Sequence, residues 1–352
     1  MGVTREDLER KGHWLTVSDE EWERQKQSVE YVTNCYLRND PWAIKIKKNV
    51  GVLLTSSPSG LPYLKASLES HKKLGYWTVL AYDNYISEYD CPCPNANSTE
   101  MVNGAQLDIN HNRYMPTKDV MNLVDTFLLP HHQCWGGVSY SFIWLIRLAS
   151  GILHSFDYVL LNNGDMVLEK PEGFPKLLEM MGDADMMSSG PTYVNVPGKR
   201  DEIGTAGILF KSKALMDVAK HMNDHMVPFE EYEKSTQDFG NTEGRLAIAA
   251  RDLGLKQVIC KPGKCPHHEV CEQLHTAGTG DWYDIIGMRH IHGELNYAHR
   301  YGKSHFDKTG EILPVPLSSY LDDRHCGGED IKAARAYEAG DIEFVKNWWA
   351  KD

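Results

Sequence analysis

The stretch FDYVLLNNGDMVL at residues 156–168 decides the fold prediction. An apolar run ends before Asn162, a polar break follows, and a second apolar run starts at Met166, which predicts two buried strands. Asp165 is then held at the edge of a sheet, and Gly164 allows a tight turn or the close approach of a ligand. Mg²⁺ and Mn²⁺ prefer oxygen ligands and fill their remaining coordination positions with phosphate oxygens and water. The stretch therefore predicts a divalent-metal site at Asp165.

A second interpretation of the same residues is purely structural. Asn-Gly is a strong signal for a two-residue β-hairpin turn. In that case Asn163 and Gly164 would only connect two strands that pair with each other, and Asp165 would have no chemical role.

Strands and helices alternate on both sides of this stretch. Residues 50–54 and 76–84 are predicted strands, and between them Leu61, Leu64 and Leu68 recur at helical spacing, so the two strands are expected to pair in parallel. Further strands are predicted at 125–130, 184–190, 205–212 and 257–262, the last of the chain, and helices at 137–153 and 174–181 and from Lys213 and Gly244. The alternation predicts an α/β fold with a mostly parallel sheet flanked by helices.

Ligands in such sheets bind beyond the carboxyl ends of the strands. Three predicted strands end in polar residues, at Thr55, Ser56 and Ser57, at Asp83 and Asn84, and at residues 163–165. We expect these side chains to share one edge of the sheet.

The order of these segments resembles the Rossmann-like GT-A fold of the nucleotide-sugar glycosyltransferases. In that family an Asp-x-Asp motif follows a strand and binds the metal–diphosphate of the donor. Asn163-Gly164-Asp165 stands in the place of the motif, with Asn163 replacing its first aspartate. The resemblance covers residues 50–301 and implies that Asp165 is a metal ligand and that Asn163 and Gly164 contact the donor.

The resemblance implies further donor-binding residues. The family has a small polar loop after its first strand, an acidic residue after its second strand that contacts the nucleoside, and a helix before the motif strand. The corresponding residues here are Thr55, Ser56, Asp83, Asn84 and Arg147.

A second motif lies in GMRHIHGELNYAHRYGK at residues 287–303. Some GT-A families supply a metal ligand from a His-x-x-Gly element, and His290 with Gly293 matches it. Imidazole is a competent ligand for Mn²⁺ and similar metals. His292 is a competing ligand, and the alternative is a set of loop histidines without a metal.

A third candidate is the acidic segment TQDFGNTEGRLAIAARDLGLK at residues 236–256, which is similar to an acidic segment followed by a helix in the family. Inverting enzymes of this fold deprotonate the acceptor with a carboxylate, which is general-base catalysis. Asp238 is the candidate and Glu243 its rival. Acidic residues also favour helix N-termini for electrostatic reasons alone.

A cysteine and histidine cluster follows, formed by Cys260, Cys265, His267, His268 and Cys271. Its spacing permits a structural zinc but lacks paired Cys-x-x-Cys units. Free thiols or a stray disulfide are the other interpretations, and we expect reduced thiols because the N-terminal residues show no apolar signal segment.

Composition limits the partners. A formal net charge of -12 argues against long-range attraction to nucleic acid, and no apolar run approaches the roughly 20 residues that span a bilayer. We therefore expect a cytoplasmic protein. We expect a helical extension at residues 1–47, a GT-A domain at 48–305 and a C-terminal extension at 306–352.

The functional hypothesis is an enzyme that moves a sugar from a nucleotide-sugar, with UDP favoured by the family, to an acceptor that the sequence does not identify. Its cofactor would be Mn²⁺ or Mg²⁺. The alternatives are a sugar nucleotidyltransferase, although TSSPSGLP at residues 55–62 lacks the glycine-rich loop of that class, and a non-catalytic nucleotide- or sugar-binding module.

Overall fold

The computed structural model describes residues 50–56, 60–82, 116–128, 146, 149, 152–190, 192–195, 197–198, 202–205, 207–224, 242–261, 280–312, 318–322 and 328–350. The predicted N-terminal extension and most of the helix predicted at 137–153 lie outside these ranges.

A seven-stranded sheet forms the centre of the fold, in the order β10-β6-β9-β4-β1-β2-β3. A two-stranded sheet joins β5 to β11, and another joins β7 to β8. The strands are β1 (Val50–Ser56), β2 (Trp77–Tyr82), β3 (Thr126–Leu128), β4 (Tyr158–Asn163), β5 (Met166–Leu168), β6 (Met186–Ser188), β7 (Thr192–Tyr193), β8 (Glu202–Ile203), β9 (Ile208–Lys211), β10 (Gln257–Ile259) and β11 (Met288–His290).

The large sheet is mostly parallel, as predicted. β4, β1, β2 and β3 pair in parallel, and so do β10 and β6, while β9 runs antiparallel to both of its neighbours. The prediction that 257–262 is the last strand is wrong, because β11 follows it. A run of three residues shows no clear period, and only its pairing with β5 marks β11 as a strand.

The hairpin interpretation of Asn163-Gly164 is also wrong. β4 pairs with β1 and β9, whereas β5 pairs antiparallel with β11. The segment around Asp165 therefore carries the chain from one sheet into another, which is a transition rather than a hairpin turn.

Helices cover both faces of the large sheet. They are α1 (Leu61–Lys72), α2 (Lys118–Met121), α3 (Phe174–Met181), α4 (Ser212–Asp224), α5 (Thr242–Asp252), α6 (Gly280–Ile286), α7 (Ile291–Thr309), α8 (Gly328–Ala339) and α9 (Ile342–Trp349). Short 3-10 helices lie at Pro171–Gly173 and Ser318–Tyr320. None of the helices in the described ranges is long and apolar enough to cross a membrane.

The two faces of the sheet have separate apolar cores. Val159 and Leu161 point to the face that packs against α4 and α5, whereas Leu160 points to the face that packs against α1, α3 and α6. This alternation follows from the two-residue period of a strand, and it predicts which way each polar residue at the end of β4 faces.

The C-terminal helices pack against the start of the fold. α7, α8 and α9 bury a cluster that also contains Tyr63 of α1 and Val167 of β5. Trp349 donates a hydrogen bond from Nε1 to the carbonyl oxygen of Ala298 at 3.2 Å, which joins α9 to α7. α7 crosses the predicted boundary at residue 305, and the division into domains stays a prediction.

Candidate functional site

The centre of the site is the point where the strand order reverses. From β1 the chain moves outward through β2 and β3 and then returns to β4 on the other side of β1. Thr55 and Asn163 are register partners at the carboxyl ends of these two strands, and the Thr55 hydroxyl donates to Asn163 Oδ1 at 3.3 Å. Such a reversal opens a crevice in which ligands of α/β proteins bind.

Gly164 brings the turn close to the end of β1. Its N–H donates to the carbonyl oxygen of Thr55 at 2.8 Å. A Cβ atom at position 164 would lie 2.7 Å from both Cβ and Oγ of Ser56. A side chain at position 164 would therefore require Ser56 to move, so the glycine keeps Thr55, Ser56 and Asn163 together.

Asp165 meets His290 directly. The distance from Asp165 Oδ2 to His290 Nε2 is 2.8 Å. The pairing of β5 with β11 brings them together, because His290 is the register partner of Met166 and the N–H of Ile291 donates to the carbonyl oxygen of Asp165 at 3.0 Å. Their side chains are 17% and 22% exposed, so solvent and a ligand can reach the pair.

The structure gives a steric reason for the glycine of the His-x-x-Gly element, Gly293. It lies in the first turn of α7, where a Cβ atom would come within 2.5 Å of Nδ1 of the His290 ring. The ring of His290 therefore packs against the helix backbone at Gly293. A side chain at position 293 would occupy the space of the ring.

His292 has a different contact. Its Nδ1 lies 3.1 Å from the hydroxyl of Tyr63, and the two rings meet edge to face. The centroids of the His290 and His292 rings are 6.5 Å apart. The structure therefore joins His290 to Asp165 directly and His292 to α1. A positive charge on His292 would also lower the pKa of the Asp165 carboxyl.

The Asp165–His290 pair shifts both titrations. Burial alone would raise the pKa of the Asp165 carboxyl, but the charge of His290 and its hydrogen bond outweigh burial and hold that pKa below its ordinary value. Burial alone would lower the pKa of His290, but the charge of Asp165 and the same hydrogen bond raise it. Each partner therefore favours the charged form of the other.

The pair fits a divalent cation. Asp165 Oδ1 is buried and has no hydrogen-bond partner among the described residues, a state that normally costs free energy and that a cation would relieve. One carboxylate and one imidazole suit Mn²⁺. The described ranges contain no group of three His, Cys, Asp or Glu side chains that could hold a metal. Phosphate oxygens and water would therefore fill the other positions, as is usual for such cations.

Glu243 lies in the first turn of α5 and accepts a hydrogen bond from the Thr205 hydroxyl at 2.9 Å. Thr205 precedes β9. The first residue of β9, Ile208, is the register partner of Leu161, which lies near the carboxyl end of β4. Glu243 is therefore anchored to a loop on the same edge of the sheet as Asp165.

Other predicted site residues lie outside the described ranges. They are Asp83, Asn84, Arg147 and Asp238, with Cys265, His267, His268 and Cys271 of the zinc candidate. Cys260 is buried, and burial raises the pKa of its thiol to about 11, so that the free thiol is protonated at neutral pH. The roles of the residues outside the described ranges, and a zinc bound by the cluster that contains Cys260, stay predictions.

Sequence reasoning missed two residues beside the site. Tyr63 contacts His292, and Asn162 is fully buried one position before the turn. The signal for Asn162 was available, because an amide at the buried end of an apolar strand requires polar partners.

No family model matches the chain, and neither does any curated protein sequence. Solved structures with partial similarity include TarS from S. aureus, at 11% identity over 86% of this chain and 90% of that chain with a TM-score of 0.34. Mouse xyloside xylosyltransferase 1 is 8% identical over 69% and 96% of the two chains, with a TM-score of 0.33. The 4-diphosphocytidyl-2C-methyl-D-erythritol synthase of Anaerococcus prevotii is 13% identical over 60% and 87%, with a TM-score of 0.31. Similarities of this size assign neither a family nor an activity to the chain.

The contact of Gly293 with His290 gives the first prediction. Gly293→Ala should leave the protein folded with a melting temperature close to that of the wild type, because a gain in helix propensity of up to about 1 kcal/mol offsets part of the cost of moving the His290 ring. It should nevertheless weaken Mn²⁺-dependent nucleotide binding by roughly tenfold, because it displaces the His290 ring. Calorimetric titration of the wild type and the variant with UDP in Mn²⁺ measures the effect.

The control is the same substitution in a His290→Ala background. If Gly293 acts through the ring of His290, Gly293→Ala adds no further loss there. An equal loss in both backgrounds would place its effect elsewhere.

The raised pKa of His290 gives a prediction about pH. The stability that protonated His290 contributes is present below its ordinary value of 6.5 and is lost as pH rises through the raised value. In EDTA, the melting temperature should therefore fall above that point, and His290→Gln should remove this part of the pH dependence.

With Mn²⁺ the trend reverses, because the metal needs the neutral imidazole and displaces its proton. Mn²⁺ affinity should rise over the same pH range. A flat affinity profile in the wild type would show that the metal does not bind at Nε2.

Proposed function

We propose that this chain is a metal-dependent glycosyltransferase that moves a sugar from a nucleotide-sugar donor to an acceptor. The observation that supports this proposal is the 2.8 Å contact between Asp165 and His290, at the carboxyl end of β4 and beside the crevice between β1 and β4. A carboxylate and an imidazole at that place provide the ligands for a cation that holds a diphosphate.

In this proposal the donor lies along the ends of β1 and β4, with its diphosphate toward Asp165. Gly164 presents backbone without a side chain, and the hydroxyl groups of Thr55 and Ser56 and the amide of Asn163 offer polar contacts. The nucleoside would extend toward Thr55 and Asp83. The resemblance of the sequence to the GT-A enzymes favours uridine as the base.

A cation held here would neutralise the charge that develops on the leaving diphosphate. The protein's own contribution is to keep Asp165 ionised and His290 oriented. The pairing of β5 with β11 sets their separation, and Gly293 leaves room for the ring. Mn²⁺ suits the mixed oxygen and nitrogen ligands better than Mg²⁺ does.

For an inverting reaction, a carboxylate must take the proton of the acceptor hydroxyl. Glu243 and Asp238 are the two candidates. The hydrogen bond from Thr205 holds Glu243 Oε1 on the edge of the sheet where the donor is proposed to lie.

A second candidate function is nucleotide binding without turnover. Asn163 stands where the related motif has a carboxylate, and this favours a weaker metal site. A panel of UDP, GDP and CMP, each with and without Mn²⁺, separates the functions by thermal shift. A transferase should be stabilised by nucleotide only when metal is present, and it should hydrolyse a nucleotide-sugar slowly without acceptor, whereas a binding module should not hydrolyse it.

The central variants test the metal pair. Asp165→Ala should abolish transfer and metal-dependent nucleotide binding while the protein stays folded, because the side chain is on the edge of the sheet and outside both cores. His290→Ala should weaken Mn²⁺-dependent binding by roughly 10–100-fold, and His292→Ala by much less. Titration calorimetry with Mn²⁺ and UDP measures all three.

His305→Ala is the matched control, because His305 lies on the same helix about 22 Å along its axis from His290 at 1.5 Å per residue. It should bind as the wild type does. Wild-type turnover in Asp165→Ala, or equal losses in His290→Ala and His305→Ala, would refute the assignment.

A further inference from the structure

A polar cluster lies inside the apolar core between α1 and the sheet. His71 and Asn162 are fully buried, and Ser67 and Ser70 are at most 4% exposed. Their neighbours in this layer are apolar, among them Leu64, Leu68, Leu160, Met166 and Met288. We name Ser67, Ser70, His71 and Asn162 the polar strut.

One arm of the polar strut reaches β4. Asn162 Nδ2 donates to Nε2 of His71 at 3.0 Å, so the ring carries its proton on Nδ1, which donates to the carbonyl oxygen of Ser67 at 2.8 Å. The other end of the same amide, Asn162 Oδ1, accepts from the N–H of Asn163 at 3.1 Å. The arm therefore ends on the backbone of the first residue of the Asn163–Asp165 turn.

The second arm reaches β5. The N–H of Leu168 donates to Ser70 Oγ at 3.0 Å, and that hydroxyl donates to the carbonyl oxygen of Ser67 at 2.7 Å. One turn of α1 therefore holds the strand before Asp165 and the strand after it. The two arms diverge from adjacent residues of the helix, Ser70 and His71.

Apolar side chains would be the simpler choice for such a buried place. Burying an amide and an imidazole removes their hydrogen bonds to water, and replacing buried polar groups by apolar ones of similar volume is often neutral or stabilising. A hydrogen-bonded polar network instead fixes one arrangement, because its hydrogen bonds have direction and apolar contacts do not. Ser67 contributes its carbonyl oxygen, which accepts from Ser70 and His71, whereas its buried hydroxyl has no hydrogen-bond partner among the described residues. Burial also lowers the pKa of His71 to about 4, which keeps the ring neutral and its acceptor nitrogen available at physiological pH.

We propose that the polar strut positions the Asn163–Asp165 turn, and that His71, Ser70 and Asn162 are positioning residues for the metal pair. The role rests on the proposed function, although the rigidity of the turn can be measured without any ligand. The polar strut reaches the turn at Asp165 from α1, which precedes Asp165 in the sequence. His290 contacts Asp165 from β11, which follows it.

The experiment compares an apolar replacement of the network with a matched loss of packing. The double variant His71→Leu/Asn162→Leu removes the hydrogen bonds of the arm to β4 and fills their place with apolar side chains of roughly similar volume. Leu68→Ala, on the same helix and in the same core, removes packing and keeps the strut. Ser70→Ala removes the arm to β5 and serves as a second variant if the double variant does not fold.

Hydrogen–deuterium exchange reports the turn directly. In the double variant, exchange at residues 163–168 should accelerate by about tenfold or more, while residues 50–54 keep their protection and the melting temperature stays close to that of the wild type. Ser70→Ala should accelerate exchange at residue 168. Leu68→Ala should lower the melting temperature without a selective change at residues 163–168. Unchanged exchange at 163–168 in the double variant would overturn the proposal, and so would the same selective acceleration in Leu68→Ala.

Titration with UDP and Mn²⁺ then separates the two proposals. If the wild type binds, the double variant should bind about tenfold more weakly and Leu68→Ala as the wild type does. Full affinity in a double variant with accelerated exchange would overturn the link to the metal pair. A wild type that binds no nucleotide would contradict the proposed function, and the exchange result would still decide whether the strut positions the turn.

Discussion

The contact between Asp165 and His290 is the constraint on which the site depends. The two residues are 125 positions apart, and their side chains meet at 2.8 Å only because β5 leaves the large sheet and pairs with β11. α7 begins directly after β11 and packs against α8 and α9. A local electrostatic pair is therefore tied to the C-terminal third of the chain.

The site is held from two directions by different physical means. From one side, hydrogen bonds of the buried polar strut fix the backbone before and after Asp165. From the other side, shape positions His290, because Gly293 leaves the space that its ring fills. Directional bonds hold the backbone at Asp165 and steric fit holds the ring of His290, so both side chains are in place as the proposed metal site would require.

Much of the central sheet was predictable, because β1, β2 and β4 are continuous apolar runs that end in polar residues. The motif singled out His290 and Gly293, which the structure brings into contact with each other and, through His290, with Asp165, while the role of His290 as a metal ligand stays a prediction. The antiparallel insertion of β9, the pairing of β5 with β11 and the contact of Tyr63 with His292 were not predictable, because short strands and long-range contacts leave no periodic signal. Asn162 was overlooked because it opens the polar run that continues to Asp165, and the sequence does not separate its buried side chain from the others in that run.

The most direct test is a crystal structure with Mn²⁺ and UDP, with anomalous diffraction measured for manganese. We predict a manganese peak bonded to Asp165 and His290, with diphosphate oxygens completing its coordination beside the ends of β1 and β4. The hydrogen bond between the two side chains would be replaced by the metal. Bound UDP with the Asp165–His290 hydrogen bond intact and manganese elsewhere would contradict this account.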